Sequence, residues 1–224
     1  MKMKKLSLII TIISAVIILI SCKSGDQSAD TGSKKVTITA AGATFPMPYY
    51  NQVFKMYTKD TGILVTYGGI GSGGGIRSLA DKVVDFGATD AFLTDEKIKE
   101  MPADIVHIPT CLGAVVIAYN LPGVDGLKLT EKLLEGIFMG KITKWNDALI
   151  KANNKQLSLP DKEIMVVHRS DGSGTTFIFS DYMSKISPLW KEKVGAGKSL
   201  DWPAGIGAKG NPGVAGTISQ TEGA

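Results

Sequence analysis

Two cysteines and two histidines are all that the 224 residues contain. Two cysteines exclude a disulfide-rich scaffold. His107 and His168 alone give no basis for a histidine-based metal cluster. There is no basic run of five or more residues, and Lys+Arg tracks Asp+Glu to a formal net charge of only +4. The electrostatic footprint of a nucleic-acid binder is therefore missing. Two stock motifs also fail. Gly197-Lys198-Ser199 has Glu192 where a Walker A loop needs its leading glycine, and Ile70 and Asp171 spoil a GxSxG around Ser72 and Ser173. Global disorder is excluded by a 44% hydrophobic composition.

What is there begins with a leader. Lys2, Lys4 and Lys5 precede Leu6–Ile20, an apolar stretch broken only by Ser7, Thr11 and Ser14. It is shorter than the ~20 apolar residues that span a bilayer as a helix, and it suits an export signal. It ends in Leu19-Ile20-Ser21-Cys22, which resembles the lipobox of bacterial lipoproteins, where the cysteine is lipidated and becomes the first mature residue. An ordinary signal peptide, or a short anchor with an incidental cysteine, is the alternative. Residues 1–21 are thus expected to be a lipoprotein signal peptide, with Cys22 lipidated, and 22–35 a polar, flexible tether. The folded part would work outside the cytoplasm, in the periplasm or on the outer face of the cell membrane. Without the three leader lysines, 22 of the 25 basic residues face 21 acidic ones, so the mature part is close to neutral. Cys111, in the apolar run Cys111–Tyr119, is expected to pack as a small hydrophobe without a disulfide.

From Val36 onward, strand-like and helix-like patterns alternate. Strands are expected at Val36–Ala40, Ile63–Tyr67, Asp85–Ala88, Ile105–Pro109, Ala114–Tyr119 and Ile164–Arg169. Helices are expected near Pro48–Lys59, Gly75–Lys82, Asp95–Met101, Leu129–Met139, Trp145–Ala152 and Thr176–Lys185. Such alternation argues for an α/β fold with mostly parallel sheet. Gly195–Ala224 is glycine-rich with few apolar runs and reads as a mobile tail, or as a chain that stops before its natural end.

One turn chemistry occurs three times. Ala43-Thr44-Phe45, Gly71-Ser72-Gly73-Gly74-Gly75 and Asp171-Gly172-Ser173-Gly174-Thr175 each follow an expected strand and precede an expected helix. Glycine lets backbone amides approach a ligand, helix first turns leave N–H donors unpaired, and hydroxyls add more. A single such turn is usually only a cap. Three at the carboxyl ends of strands in one α/β chain point to an oxyanion ligand. Arg169 directly precedes the third turn and suits bidentate anion pairing, with Asp171 close enough to hold its guanidinium. Asp90 stands at another strand end, where a helix cap is the plain alternative. Gly69–Gly74 also fits GxGxxG, though not in the first strand–helix unit, where a dinucleotide fold would place it. His107 reads as a satisfied core histidine; His168, beside Arg169, is given no role.

Five segments carry a family resemblance: Ala41-Gly42-Ala43-Thr44-Phe45-Pro46, Gly69-Ile70-Gly71-Ser72, Asp85-Phe86-Gly87-Ala88-Thr89-Asp90-Ala91, Gly140-Lys141-Ile142-Thr143-Lys144-Trp145 and Arg169-Ser170-Asp171-Gly172-Ser173-Gly174-Thr175. In order and spacing they resemble the phosphate-binding protein of bacterial phosphate ABC transporters, over nearly the whole chain after Val36. The resemblance implies a periplasmic-binding-protein type II fold, two α/β lobes around a ligand cleft. Lobe one would be 36–109 and lobe two 110–224, both incomplete, because the family continues with considerably more chain where this sequence ends. It implies phosphate-binding residues Thr44, Phe45, Ser72, Asp90, Arg169, Ser173, Gly174 and Thr175, with Asp171 supporting Arg169. Gly73 and Thr89 stand where the family frequently has Ser. The resemblance further implies a monomer with no cofactor or metal, which captures inorganic phosphate and delivers it to an ABC-type permease while held to the membrane by lipid on Cys22. Asp90 would select phosphate, because an ionised carboxylate only accepts hydrogen bonds and phosphate still carries a proton where sulfate does not. The competing readings are a binder of another oxyanion such as sulfate or molybdate, and an enzyme, either a serine-type phosphohydrolase or a dinucleotide-dependent oxidoreductase.

Overall fold

The computed structural model describes residues 36–224. The expected signal peptide, the lipidated Cys22 and the tether lie outside the described residues. The first sheet has β1 (Thr37–Gly42) at its centre, with β2 (Leu64–Gly69) on one side and β3 (Phe86–Ala88) on the other. All three run parallel, in register from Thr37↔Leu64 to Gly42↔Gly69 and from Ala40↔Phe86 to Gly42↔Ala88. Parallel neighbours need crossover connections, and these are α1 (Met47–Thr61) and α2 (Ser72–Ala80). Pro48 sits in the first turn of α1, where its missing N–H costs nothing. Tyr50 and Phe54 of α1 stack at 4.9 Å, and Tyr50 meets Tyr67 of β2 edge-on at 5.0 Å, which fastens the helix to the sheet.

After the short α3 (Asp95–Lys99), capped by Thr94 accepting from the Lys97 amide, the chain reaches α4 (Glu131–Phe138) and α5 (Ala148–Asn153). Successive turns of α4 bury Leu133, Leu134 and Ile137, the spacing of an amphipathic helix. Leu133 and Ile137 pack with Leu121, Ile142, Trp145, Ile150 and Val166. Leu134 packs instead with Met183 and Trp190, from α6 (Gly174–Ile186) and α7 (Pro188–Lys193). The second sheet pairs β4 (Val167–Arg169) with β5 (Ile206–Ala208) in parallel, and α8 (Gly210–Gln220) lies against both.

Three expectations need correction. Ile105–Pro109 and Ala114–Tyr119 form no strands. A strand needs a neighbour to complete its ladder, and among the described residues none pairs with them; Val106, Ile108, Leu112 and Val116 stand 74–100% exposed. Cys111 is for the same reason only partly covered, and it is a free thiol. The glycine-rich tail is not loop. Ile206 donates to the Val166 carbonyl at 2.9 Å and Ser170 donates to that of Ala208 at 3.0 Å, so sheet pairing orders a stretch with little apolar periodicity. Its end is tied as well, since Trp145 Nε1 donates to the Gly223 carbonyl at 2.9 Å and the Asn120 amide to that of Ala224 at 2.9 Å. The third correction concerns boundaries: α2 and α6 begin inside their glycine turns, at Ser72 and Gly174, and β4 starts only at Val167.

Candidate functional site

The carboxyl ends of β1, β2, β3 and β4 carry Thr44, Ser72, Asp90 and Arg169, and the fold brings these residues into one contact chain. Arg169, only 8% exposed, is its hub. Its Nε donates to Asp171 Oδ1 at 2.7 Å and its Nη2 to Asp171 Oδ2 at 2.5 Å. Its Nη1 donates to Asn211 Oδ1 at 2.7 Å and to Thr44 Oγ1 at 3.4 Å. The planar fork therefore closes on Asp171, not outward, and of the five guanidinium N–H groups one on Nη2 is left over. Burial pushes the Asp171 carboxyl up, but the Arg169 hydrogen bonds and the Gly210 amide outweigh it and hold the group below the usual carboxylate range.

Gly71 lets this pair meet the second turn. It adopts φ +81, and a Cβ there would lie 2.5 Å from Asp171 Oδ2 and 3.1 Å from Arg169 Nη2. The second and third turns are stitched together where the Gly73 amide donates to the Gly172 carbonyl at 2.9 Å. Next to them Ser72, fully buried, accepts from the Asp90 amide at 3.3 Å. Gly174 closes over both: an added Cβ would sit 2.6 Å from Ser72 Oγ and 2.6 Å from Asp90 Cβ. Thr175 Oγ1 donates to Asp90 Oδ2 at 3.1 Å. Asp90 Oδ1 is buried and has no hydrogen-bond partner among the described residues. Desolvation raises the Asp90 pKa, against the opposing pull of Thr175, Arg169 and Lys198. Asp90 caps no helix; Thr94 caps the one that follows.

Two more of the hydroxyls accept inside the protein. Thr44 Oγ1 takes the Asn211 amide at 3.0 Å, and Ser173 Oγ caps α6 by taking the Thr176 amide at 3.1 Å. Each thereby keeps its own O–H hydrogen for another acceptor, as Ser72 does. The Ser173 amide, by contrast, is spent on the Lys198 carbonyl at 2.9 Å. Tyr67 places the first turn by donating its hydroxyl to the Ala43 carbonyl at 2.6 Å. Phe45, Asp90, Arg169, Thr175 and Asn211 line a cavity of about 320 Å³ whose remaining wall is largely apolar. His168 lines it too, stacked on Trp202 at 4.7 Å, and His107 Nε2 accepts from the Leu93 amide at 3.2 Å. The sequence marks Asn211 only through the Gly210-Asn211-Pro212 turn signal, inside the glycine-rich stretch that reads as a tail. Among the described residues no group of three His, Cys, Asp or Glu side chains could hold a metal ion, and no helix is long and apolar enough to cross a membrane.

Known proteins share this arrangement of elements. The PBP superfamily domain matches residues 27–224. The phosphate-binding protein PstS of Pasteurella multocida is 49% identical over 186 residues, which make up 82% of this chain and 54% of that protein. The protein of the same name from Haemophilus influenzae is 50% identical over 186 residues, 82% of this chain and 55% of its own length. The chain thus spans about half the length of the curated relatives it matches. A solved high affinity periplasmic phosphate-binding protein, bound with phosphate, superposes with a TM-score of 0.62 at 22% identity, covering 84% of this chain and 55% of that one. At that identity the likeness speaks for the fold alone.

Proposed function

The chain belongs to the PBP superfamily, and from that premise we propose that it is an extracytoplasmic solute-binding protein that captures inorganic phosphate and hands it to an ABC-type permease. One observation carries the choice of ligand: Asp90 Oδ1 is a buried acceptor with no donor. Leaving such an oxygen unpaired costs about 1–3 kcal/mol, and more when it is charged. Phosphate near neutral pH brings a proton to it, whereas sulfate brings another lone pair.

The remaining roles follow from the free hydrogens. The hydroxyls of Thr44, Ser72 and Ser173 donate to the anion, as do the amides of Phe45, Gly174 and Thr175. Thr175 spends its hydroxyl hydrogen on Asp90 and so holds that carboxylate in place. Arg169 contributes charge and its remaining N–H, while Asp171 and Asn211 hold it in place. Most of the stabilisation then comes from neutral donors and dipoles fixed before the ligand arrives, which suits reversible uptake. Residues 36–109 and 110–224 belong to two lobes of a type II binding fold, Cys22 carries the lipid anchor, and the protein acts as a monomer without a cofactor. A binding role, not catalysis, is supported by the partners of the two site serines. Ser72 and Ser173 each accept from a backbone amide, and among the described residues neither is paired with a histidine or carboxylate that could take its proton.

The test is Asp90→Asn in the full-length protein, with sulfate competing against phosphate in a binding titration. An amide can donate to sulfate, so discrimination is expected to fall by about tenfold to a hundredfold. A variant that rejects sulfate as firmly as the wild type removes Asp90 from the selective role.

A further inference from the structure

Lys198 has no place in the cradle described above and does not line its cavity, yet the fold holds it on α6, whose first turn lines that cavity with Thr175 and Thr176. Its carbonyl accepts the Ser173 amide at 2.9 Å, and the Gly197 amide before it donates to Ser180 Oγ at 3.1 Å, so the loop over residues 195–200 is pinned to α6 at both the cap and the second turn. The Lys198 ammonium lies 5.1 Å from the centroid of the Phe177 ring, in the first turn of α6. It is half-buried, and among the described residues it makes no salt bridge. Among the described residues, Asp90 is the one charge whose field reaches it appreciably. The other charges near the cradle are Arg169 and Asp171 at the end of β4. The first turn of α6 carries none, and residues 195–200 add none beyond Lys198.

An ammonium partly stripped of water needs an anion. Asp90 supplies only part of that, because its carboxylate is also engaged by Thr175 and faces Arg169. Arg169 is itself largely neutralised by Asp171. The cradle as assembled from Arg169, Asp171 and Asp90 carries no net positive charge toward an incoming anion.

We propose that Lys198 is a specificity-determining residue that supplies the second positive charge of the anion cleft and tilts it toward the doubly charged form of phosphate. The proposal rests on the phosphate reading above. Lys198 acts through space, held over Phe177, and one extra elementary charge on the ligand roughly doubles its interaction with that ammonium. Packing on Phe177 alone would make Lys198 a structural residue with no stake in the ligand's charge.

Titration of inorganic phosphate into the full-length protein separates the two. Lys198→Met keeps the apolar stem over Phe177 and removes the charge; Lys198→Arg keeps both. At about pH 8.5, where the dianion dominates, Lys198→Met is expected to bind about five- to tenfold more weakly than wild type. At about pH 5.5, where phosphate is a monoanion, the loss should shrink to about twofold. Lys198→Arg should stay within about twofold of wild type at both. Equal losses for Lys198→Met at the two pH values, no loss at either, or a Lys198→Arg that weakens as much as Lys198→Met would each overturn the proposal. A wild-type protein that binds no phosphate overturns the functional reading first, and this inference with it.

Discussion

Asp171 shows how little freedom a single side chain has at this site. Both its oxygens are committed, to Nε and Nη2 of Arg169, and Oδ1 also takes the Gly210 amide at 3.0 Å. Replacing it by Asn removes the charge and one of the fork's acceptors and leaves a nearly buried guanidinium short of a counterion. Breaking a buried pair in this way costs about 3–5 kcal/mol, with the partial exposure of Asp171 pulling the figure toward the low end. Denaturant unfolding of Asp171→Asn beside wild type measures it, and a change below about 1 kcal/mol would show the pair to be dispensable. The pH dependence has a definite sign. The Asp171 pKa is lowered in the folded state, so its contribution is fully present above the unfolded carboxylate value of about 3.9 and is lost as pH falls through the folded value. Acid melts of the wild type should therefore steepen below about pH 4, and those of Asp171→Asn should steepen less.

Among the elements, α6 carries the most instructive position. Gly174 opens the helix, and in an ordinary first turn alanine would be the better residue by up to about 1 kcal/mol. Here the added methyl would meet Ser72 Oγ and Asp90 Cβ at 2.6 Å. Overpacking of this kind costs about 1–3 kcal/mol, so it outweighs the propensity gain and reverses the sign. Gly174→Ala is expected to lower stability by about 1 kcal/mol or more and, under the proposed function, to weaken phosphate binding by at least about tenfold, because it pushes α6 off the serine and the carboxylate together. Thermal melts and a binding titration on the same preparation read both. A stabilised Gly174→Ala with unchanged affinity would mean that the turn yields easily.

For the molecule as a whole, the site hangs on a core some distance away. Trp190 is fully buried between Leu134 and Met183, donates Nε1 to the Gly195 carbonyl at 2.9 Å and meets Trp202 at 5.9 Å. Trp202 in turn stacks on His168, one residue before Arg169. Trp190→Ala should cost about 3–5 kcal/mol, a large share of the 5–15 kcal/mol that holds a typical fold together. Loss of the Nε1 bond to Gly195 would also remove one of the ties on the loop that carries Lys198. Near-ultraviolet circular dichroism during a denaturant titration follows the loss; a midpoint close to wild type would mean that the core repacks around the gap.

The three glycine–hydroxyl turns and Arg169 with Asp171 were legible in the chain, because their chemistry is local: a turn needs its glycine and an amide needs its acceptor within a few residues. The parallel α/β alternation was legible for the same reason, through periodicity. Asp90 was marked as an acceptor only by the family resemblance, since its contacts with Ser72 and Thr175 join residues far apart in sequence. Only the tertiary structure decided that Asn211 reaches Arg169 and Thr44, that the Arg169 fork turns inward, that the glycine-rich stretch after Gly195 becomes β5 and α8, and that the apolar segments at 105–109 and 114–119 stay unpaired. Each of these depends on contacts between residues far apart in sequence, such as Thr44 with Asn211, and hydrogen-bond partners at that separation leave no pattern in the order of the amino acids.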